Sequence, residues 1–330
     1  MVRITVGRKK SSLDSTLQII KLIMATVLSS SSSATKTSSA ASLLRLYGVP
    51  LSQPFRSVAW TLLLHRVSFT IQLTVPGAKT SIGSRNENYL KLTNGRSNVI
   101  PILQVEEDGR DGTFTIMESP AILTYICERY GSGAARYSST DQAHADNWLL
   151  PPRASKEKTM VDSYMHWHHS NTRRLTRLTA PTLLPQFNLA IDARHIKLAK
   201  STLTTLDTNW LGGGGGNGNG EQRYLAGTLN PTIADILAYE ELSQVHHVVS
   251  TDVVDLSSYT NIWCWMQRMK QLPYYEQVHK ALETFSSTSS STSDNMPIQK
   301  RLSIANKVGL KAINEAQQDT YKSSNLSSKL

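Results

Sequence analysis

Between residues 43 and 130 the chain alternates strand-like and helix-like segments in an order that few folds accept. Leu43–Tyr47 is a short apolar run ended by Gly48 and Pro50, and such a run reads as a strand. Ser52-Gln53-Pro54 follows, then Val58, Leu62 and Leu63 at helical spacing. Pro54 suits a first helical turn, where its missing N–H costs nothing, so a helix is predicted over about 54–66. Phe69–Val75 alternates apolar and polar residues and reads as a second strand. Residues 76–88 form a polar loop with a weak helix after it. Asn98–Val105, with Pro101 near its start, is a third strand. The turn Asp108–Gly112 joins it to a fourth, Phe114–Met117, as a hairpin. Glu118-Ser119-Pro120 then opens a helix over Ala121–Tyr130.

The sum is β-α-β-(α)-β-β-α, a parallel βαβ unit followed by an antiparallel hairpin, which is the thioredoxin-like order. Beyond a small, polar linker at 131–140 the strand signals fade. The expected fold class is therefore α/β + all-α: a thioredoxin-like domain over 43–131, then an all-helical domain over 138–285. Long helices are predicted over 162–178, 191–210 and 258–284. Another begins at Asn230-Pro231-Thr232, where Thr232 and Asp235 have capping-box spacing. The run Gly212–Gly220 lacks the strand–helix context and the Lys-Ser of a phosphate loop, so it reads as a flexible connection. Residues 286–330 read as a flexible tail with a weak amphipathic pattern.

The net charge of +10 suggests nucleic acid at first sight. Its distribution argues otherwise. Residues 1–42 hold six basic residues against Asp14, and residues 286–330 hold six against three acids. The body between them is close to neutral and has no basic run interleaved with aromatics, so no nucleic-acid partner is expected. Cys127 and Cys264 are too few for a disulfide framework or a zinc site and read as free thiols. The apolar run Leu17–Leu28, interrupted by Lys21, falls short of the ~20 residues of a membrane span, and no membrane association is expected. Residues 1–42 are Ser-rich and acid-poor, similar to a transit peptide, with a disordered extension equally open.

Ser52 stands where a strand end meets a helix N-terminus, a place that stabilises an anion or simply caps the helix. Four pieces bear on the choice: Ser52-Gln53-Pro54 after the first strand, Val99-Ile100-Pro101 before the third, Glu118-Ser119 before the next helix, and Thr232-x-x-Asp235 in the helical half. Together they resemble the glutathione transferases over about residues 43–285. The stretch Ser163–Arg174, SYMHWHHSNTRR, resembles the theta class, especially its plant members.

The resemblance implies an enzyme that holds glutathione as co-substrate, with no cofactor and no metal, and attacks a small hydrophobic electrophile or reduces a hydroperoxide. It implies that Ser52 is catalytic, donating a hydrogen bond to the glutathione sulfur. It assigns Gln53, Arg85, Ile100, Pro101, Glu118, Ser119 and Asp162 to glutathione, with Lys79 as the fallback for Arg85. It assigns His169, Arg173 and Arg174 to the electrophile pocket, and it implies a homodimer. Ser328-Lys329-Leu330 matches the peroxisomal address, with a cytoplasmic site or organellar import through the N-terminal extension as alternatives. The rival reading is a non-catalytic binding or scaffold protein of the same fold. Retention of Ser52 with Glu118-Ser119 argues against that rival.

Overall fold

A computed structural model of the chain describes residues 43–106, 112–131, 149–212, 224–290 and 296–327. The N-terminal extension, the turn at 107–111, most of the 131–140 linker, the glycine run beyond Gly212 and the terminal Ser-Lys-Leu lie outside the described residues.

Strand β1 (Leu43–Gly48), helix α1 (Gln53–Leu64), β2 (Thr70–Leu73), α2 (Glu87–Leu92), β3 (Ile102–Glu106), β4 (Thr113–Met117) and α3 (Ser119–Tyr130) follow in the expected order. They build one four-stranded sheet in the order β2-β1-β3-β4. β1 pairs β2 in parallel, whereas β3 runs antiparallel to β1 and to β4. One row of this register matters for function. Ile102 pairs with both Tyr47 and Met117, and the adjoining Gly48 pairs with Leu73. The chain therefore leaves β1, β2 and β4, and enters β3, at the same end of the sheet.

Helix α1 is buried over Gln53–Leu63, which explains its near-continuous apolar sequence. It packs against α3 on one side and against the helical half on the other. The helical half comprises α4 (Lys156–Ser170), α5 (Thr176–Leu183), α6 (Ala193–Thr205), α7 (Ile233–Val248), α8 (Thr260–Met269), α9 (Tyr275–Ser290) and α10 (Ile298–Ser327). α7 is buried over Ile233–Val245 and touches α1. One continuous apolar core thus spans both halves, from Leu44 and Phe55 to Tyr239 and Trp265. Trp60 joins them directly. Its indole N–H donates to the Pro273 carbonyl at 2.7 Å, and its ring lies edge-on to Tyr239, Tyr275 and His279.

Thr232 and Asp235 form a capping box on α7. Asp235 accepts from the backbone N–H groups of Thr232 and Leu225, from the Thr232 hydroxyl and from the Trp265 indole. A fully buried carboxylate needs that many donors, because burial alone pushes its pKa up.

Four segments depart from the sequence-based expectation. The single helix expected over 258–284 is two, α8 and α9, parted at 270–274, where Pro273 and Tyr274 (φ +64°) interrupt it. The helix predicted over 162–178 is broken at Asn171, whose amide turns back to the Trp167 carbonyl at 2.9 Å. A short 3-10 turn, Thr172–Leu175, leads into α5. α6 widens into a π-helical turn over Leu206–Leu211. The predicted flexible tail contains the 30-residue helix α10, which packs along α9. Its apolar stripe is weak in sequence, yet Ala305, Ile313 and Ala316 are buried, because small side chains let the two helices approach.

Two buried histidines give the fold a pH dependence. Burial lowers His65, whose Nε2 lies 3.3 Å from the Cys127 sulfur, to about 4. Burial, reinforced by Arg173 and His169, lowers His168 to about 3. In the unfolded chain both protonate near 6.5. Below that pH the unfolded state takes up protons that the fold refuses, so each costs about 1.4 kcal/mol per pH unit down to its folded value. The raised pKa values of Asp235 and Glu241 act in the opposite sense, so a mutant comparison isolates the histidine. The thermal midpoint of His168→Phe is expected to fall less steeply than that of the wild type between pH 6.5 and 4. Parallel profiles would contradict this.

Candidate functional site

The shared sheet end gathers the loops that carry most of the predicted glutathione residues. Ser52 is half-buried at the N-cap of α1, with φ −81° and ψ 124°. Its backbone N–H donates to Val49 O at 2.9 Å, and its carbonyl accepts from Arg56 at 3.0 Å. Its hydroxyl makes no capping hydrogen bond, although serine at this position usually makes one. The hydroxyl therefore stands at the positive end of a helix without being spent on it.

Across β1, the Ile100–Pro101 peptide is cis. Strand pairing begins only at Ile102, so the Ile100 N–H and C=O stay outside the ladder. Tyr47, Tyr89, Ile100 and Ile102 form an apolar cluster beneath them, and the Tyr89 hydroxyl donates to the Val99 carbonyl. At the end of β4, Glu118 is exposed at the N-cap of α3, and its side chain makes no capping bond. Its backbone lies at φ +66°, a region that costs a non-glycine residue roughly 1–3 kcal/mol and that clusters at functional sites. Ser119 follows as the first helical residue, buried. Two helix N-termini, α1 and α3, thus open at one sheet end. Arg85 and Lys79 are exposed on the loop that leaves β2 at the same end.

Other predicted residues sit differently. The Gln53 amide donates to Glu241 at 3.2 Å and to the Thr176 hydroxyl at 3.4 Å, and the residue is 5% exposed. Arg173 closes the same cluster, donating to Glu241 at 2.6 Å and to Thr176 at 2.8 Å. Burial raises the Glu241 pKa against the pull of Arg173 and Thr176. Arg174 and His169 are exposed. Asp162 is exposed on α4 and paired with Lys158 one turn back. Among the described residues no group of three or more His, Cys, Asp or Glu is placed to hold a metal ion.

The structure adds residues that the sequence reading passed over. Arg56, fully buried on α1, donates to Glu240 at 2.6 Å, to Gln244 at 3.0 Å and to the Pro50 carbonyl at 3.3 Å. The His279 Nε2 stands 3.1 Å from the other Glu240 oxygen. Burial would raise Glu240, but His279 and Arg56 together outweigh it and hold the carboxyl below its usual range. A signal for this cluster exists in the sequence. Arg56 is the one charge in QPFRSVAWTLLL, and Glu240-Glu241 interrupt an apolar helix. Charges in such places are paired.

Residues 46–134 match the family described as Glutathione S-transferase, N-terminal domain. Glutathione S-transferase T1 of Arabidopsis thaliana is 28% identical over 181 residues, covering 52% of this chain and 66% of that protein. Glutathione S-transferase theta-1 of Mus musculus is 27% identical over 230 residues, covering 69% and 82%. A glutathione transferase homologue of Drosophila mojavensis, solved with bound glutathione, superposes with a TM-score of 0.54 at 20% identity over 84% of this chain and 98% of that one. The chain spans 27% to 66% of the length of the Arabidopsis relatives that it matches. It therefore carries a glutathione S-transferase N-terminal domain on a glutathione transferase fold, and it resembles the theta class of plants.

Proposed function

We propose that this chain is a glutathione transferase in which Ser52 stabilises the thiolate of bound glutathione. The observation that carries the proposal is the Ser52 hydroxyl, placed at the N-cap of α1 yet making no capping bond. A free thiol has a pKa of about 8.5 and is only slightly ionised at neutral pH. Lowering it by about 2 units takes ~2.7 kcal/mol. One charge-assisted hydrogen bond contributes about 1.5–3 kcal/mol, and a helix N-terminus adds about 0.3–1 kcal/mol.

The other groups hold the peptide. The Ile100 N–H and C=O pair with the cysteinyl backbone as an added strand. Ser119 and the first N–H groups of α3 take the γ-glutamyl carboxylate, and Glu118 takes the amine. Arg85 or Lys79 meets the glycyl carboxylate. Gln53 and Arg173 brace the floor of the site through Glu241, instead of touching the ligand with their side chains.

With an alkyl halide, the thiolate forms the S–C bond as the halide leaves. With a hydroperoxide, it attacks the terminal oxygen and the O–O bond breaks. The alcohol leaves with a proton, and a second glutathione reduces the sulfenic acid to give the disulfide and water. The test is a paired assay with glutathione: conjugation of an alkyl halide and reduction of an organic hydroperoxide. Turnover of either is expected, and turnover of both by one Ser52-dependent site is the stronger form. Glutathione binding without turnover of either would support the scaffold reading and overturn the enzymatic one.

A further inference from the structure

The Val49–Ser52 loop is held at three consecutive peptide groups. The Ser52 N–H donates to Val49 O, within the loop. The Pro50 carbonyl accepts from Arg56, on the following helix. The third tie comes from 255 residues away: the Leu51 N–H donates to Asn306 Oδ1 at 3.0 Å. Asn306 lies on α10. Leu51 is 5% exposed and packs in a cluster with Ala281, Leu282, Phe285 and Ala305, bordered by Ile298 and Leu302 of α10.

Gly309, one turn on from Asn306, makes this approach possible. A Cβ there would stand 2.9 Å from the Pro50 Cβ and still closer to Ala281 of α9. Any side chain would force α10 off both α9 and the loop. Two independent features of α10, an acceptor aimed at Leu51 and a glycine flush against Pro50, thus converge on the residues just before Ser52.

We propose that α10 sets the aim of the Ser52 hydroxyl, with Asn306 as a positioning residue for thiolate formation. This rests on the reading of Ser52 as the donor to the glutathione sulfur. Asn306 fixes the Pro50–Leu51 peptide and so the Cα of Leu51. The next peptide group, itself tied by the Ser52 N–H to Val49 O, carries that position on to the Cα of Ser52. A donor that drifts by a fraction of an ångström loses much of a charge-assisted bond whose worth depends on distance and angle. The groups proposed to hold the glutathione backbone stand elsewhere, on Ile100, Glu118 and Ser119. Loss of Asn306 therefore acts on ionisation rather than on binding.

The experiment uses the full chain and glutathione itself. The bound thiol is titrated by its ultraviolet thiolate absorbance in the wild type, Asn306→Ala, Gly309→Ala and Lys307→Ala, with kcat, KM for glutathione and the thermal midpoint measured alongside. Asn306→Ala and Gly309→Ala are each expected to raise the thiol pKa by about one unit and to lower kcat about tenfold near neutral pH, with KM for glutathione within a factor of about three. Lys307→Ala, at an exposed neighbouring position, keeps wild-type values. A merely structural role for α10 would lower the thermal midpoint and leave the thiol pKa where it was. Wild-type thiol pKa in either folded variant, Asn306→Ala or Gly309→Ala, overturns the proposal. A wild type that never ionises bound glutathione defeats the reading of Ser52 first, and that titration reads it separately.

Discussion

Ser52→Ala is expected to lower kcat for glutathione conjugation about 10- to 100-fold near neutral pH, the worth of one charge-assisted hydrogen bond in the transition state. KM for glutathione should stay within a factor of about three, because the peptide is proposed to be held by other groups. Stability supplies the discriminating readout. An N-cap serine that bonds to its helix costs typically ~1 kcal/mol when it becomes alanine. The Ser52 hydroxyl makes no such bond, so the thermal midpoint of the alanine variant should stay close to that of the wild type. A large loss of stability with unchanged turnover would return Ser52 to the role of a cap. The capping and catalytic roles thus predict opposite patterns in two measurements on one variant.

The second large effect concerns the buried cluster behind the same loop. Arg56 and Glu240 are both fully buried and 2.6 Å apart. Arg56→Ala strands Glu240 without its nearest cation and frees the Pro50 carbonyl. Breaking a buried pair in this way costs about 3–5 kcal/mol. The expected result is a large drop in the urea midpoint. The double variant Arg56→Met with Glu240→Gln removes both charges and should recover most of that loss, as apolar or neutral replacements of buried pairs often do. A double variant no more stable than Arg56→Ala would show that the cost lies in packing volume instead of stranded charge.

Much of the N-terminal domain was legible because its signals are local. Apolar alternation marks β2, glycine and proline mark the end of β1, and Glu118-Ser119-Pro120 marks the start of α3. Thr232 and Asp235 announce the cap of α7 through a spacing of three. What stayed hidden depends on partners far apart in sequence. Arg56 meets Glu240 across 184 residues, and Leu51 meets Asn306 across 255. No periodicity encodes such pairings. Gln53 illustrates the limit well. Its place beside Ser52 is local and readable, but the direction of its amide is set by Glu241, which arrives from the helical domain. α10 was misread for a related reason. Three of its buried positions, Ala305, Gly309 and Ala316, carry small residues that permit close approach, and hydrophobic patterning scores them weakly.

The candidate site shows the same division. Residues contributed by loops at one sheet end converge because the register puts Tyr47, Ile102 and Met117 in one row. Residues predicted on α4, such as Asp162, have partners within their own helix.

The central claim is that this site ionises glutathione. The direct measurement is the pKa of the glutathione thiol bound to the wild-type protein, followed by thiolate absorbance across pH, with Ser52→Ala in parallel. The account predicts a value about 2 units below the free thiol in the wild type and a return toward about 8.5 in the variant. A bound thiol that titrates like the free one in both proteins would contradict it.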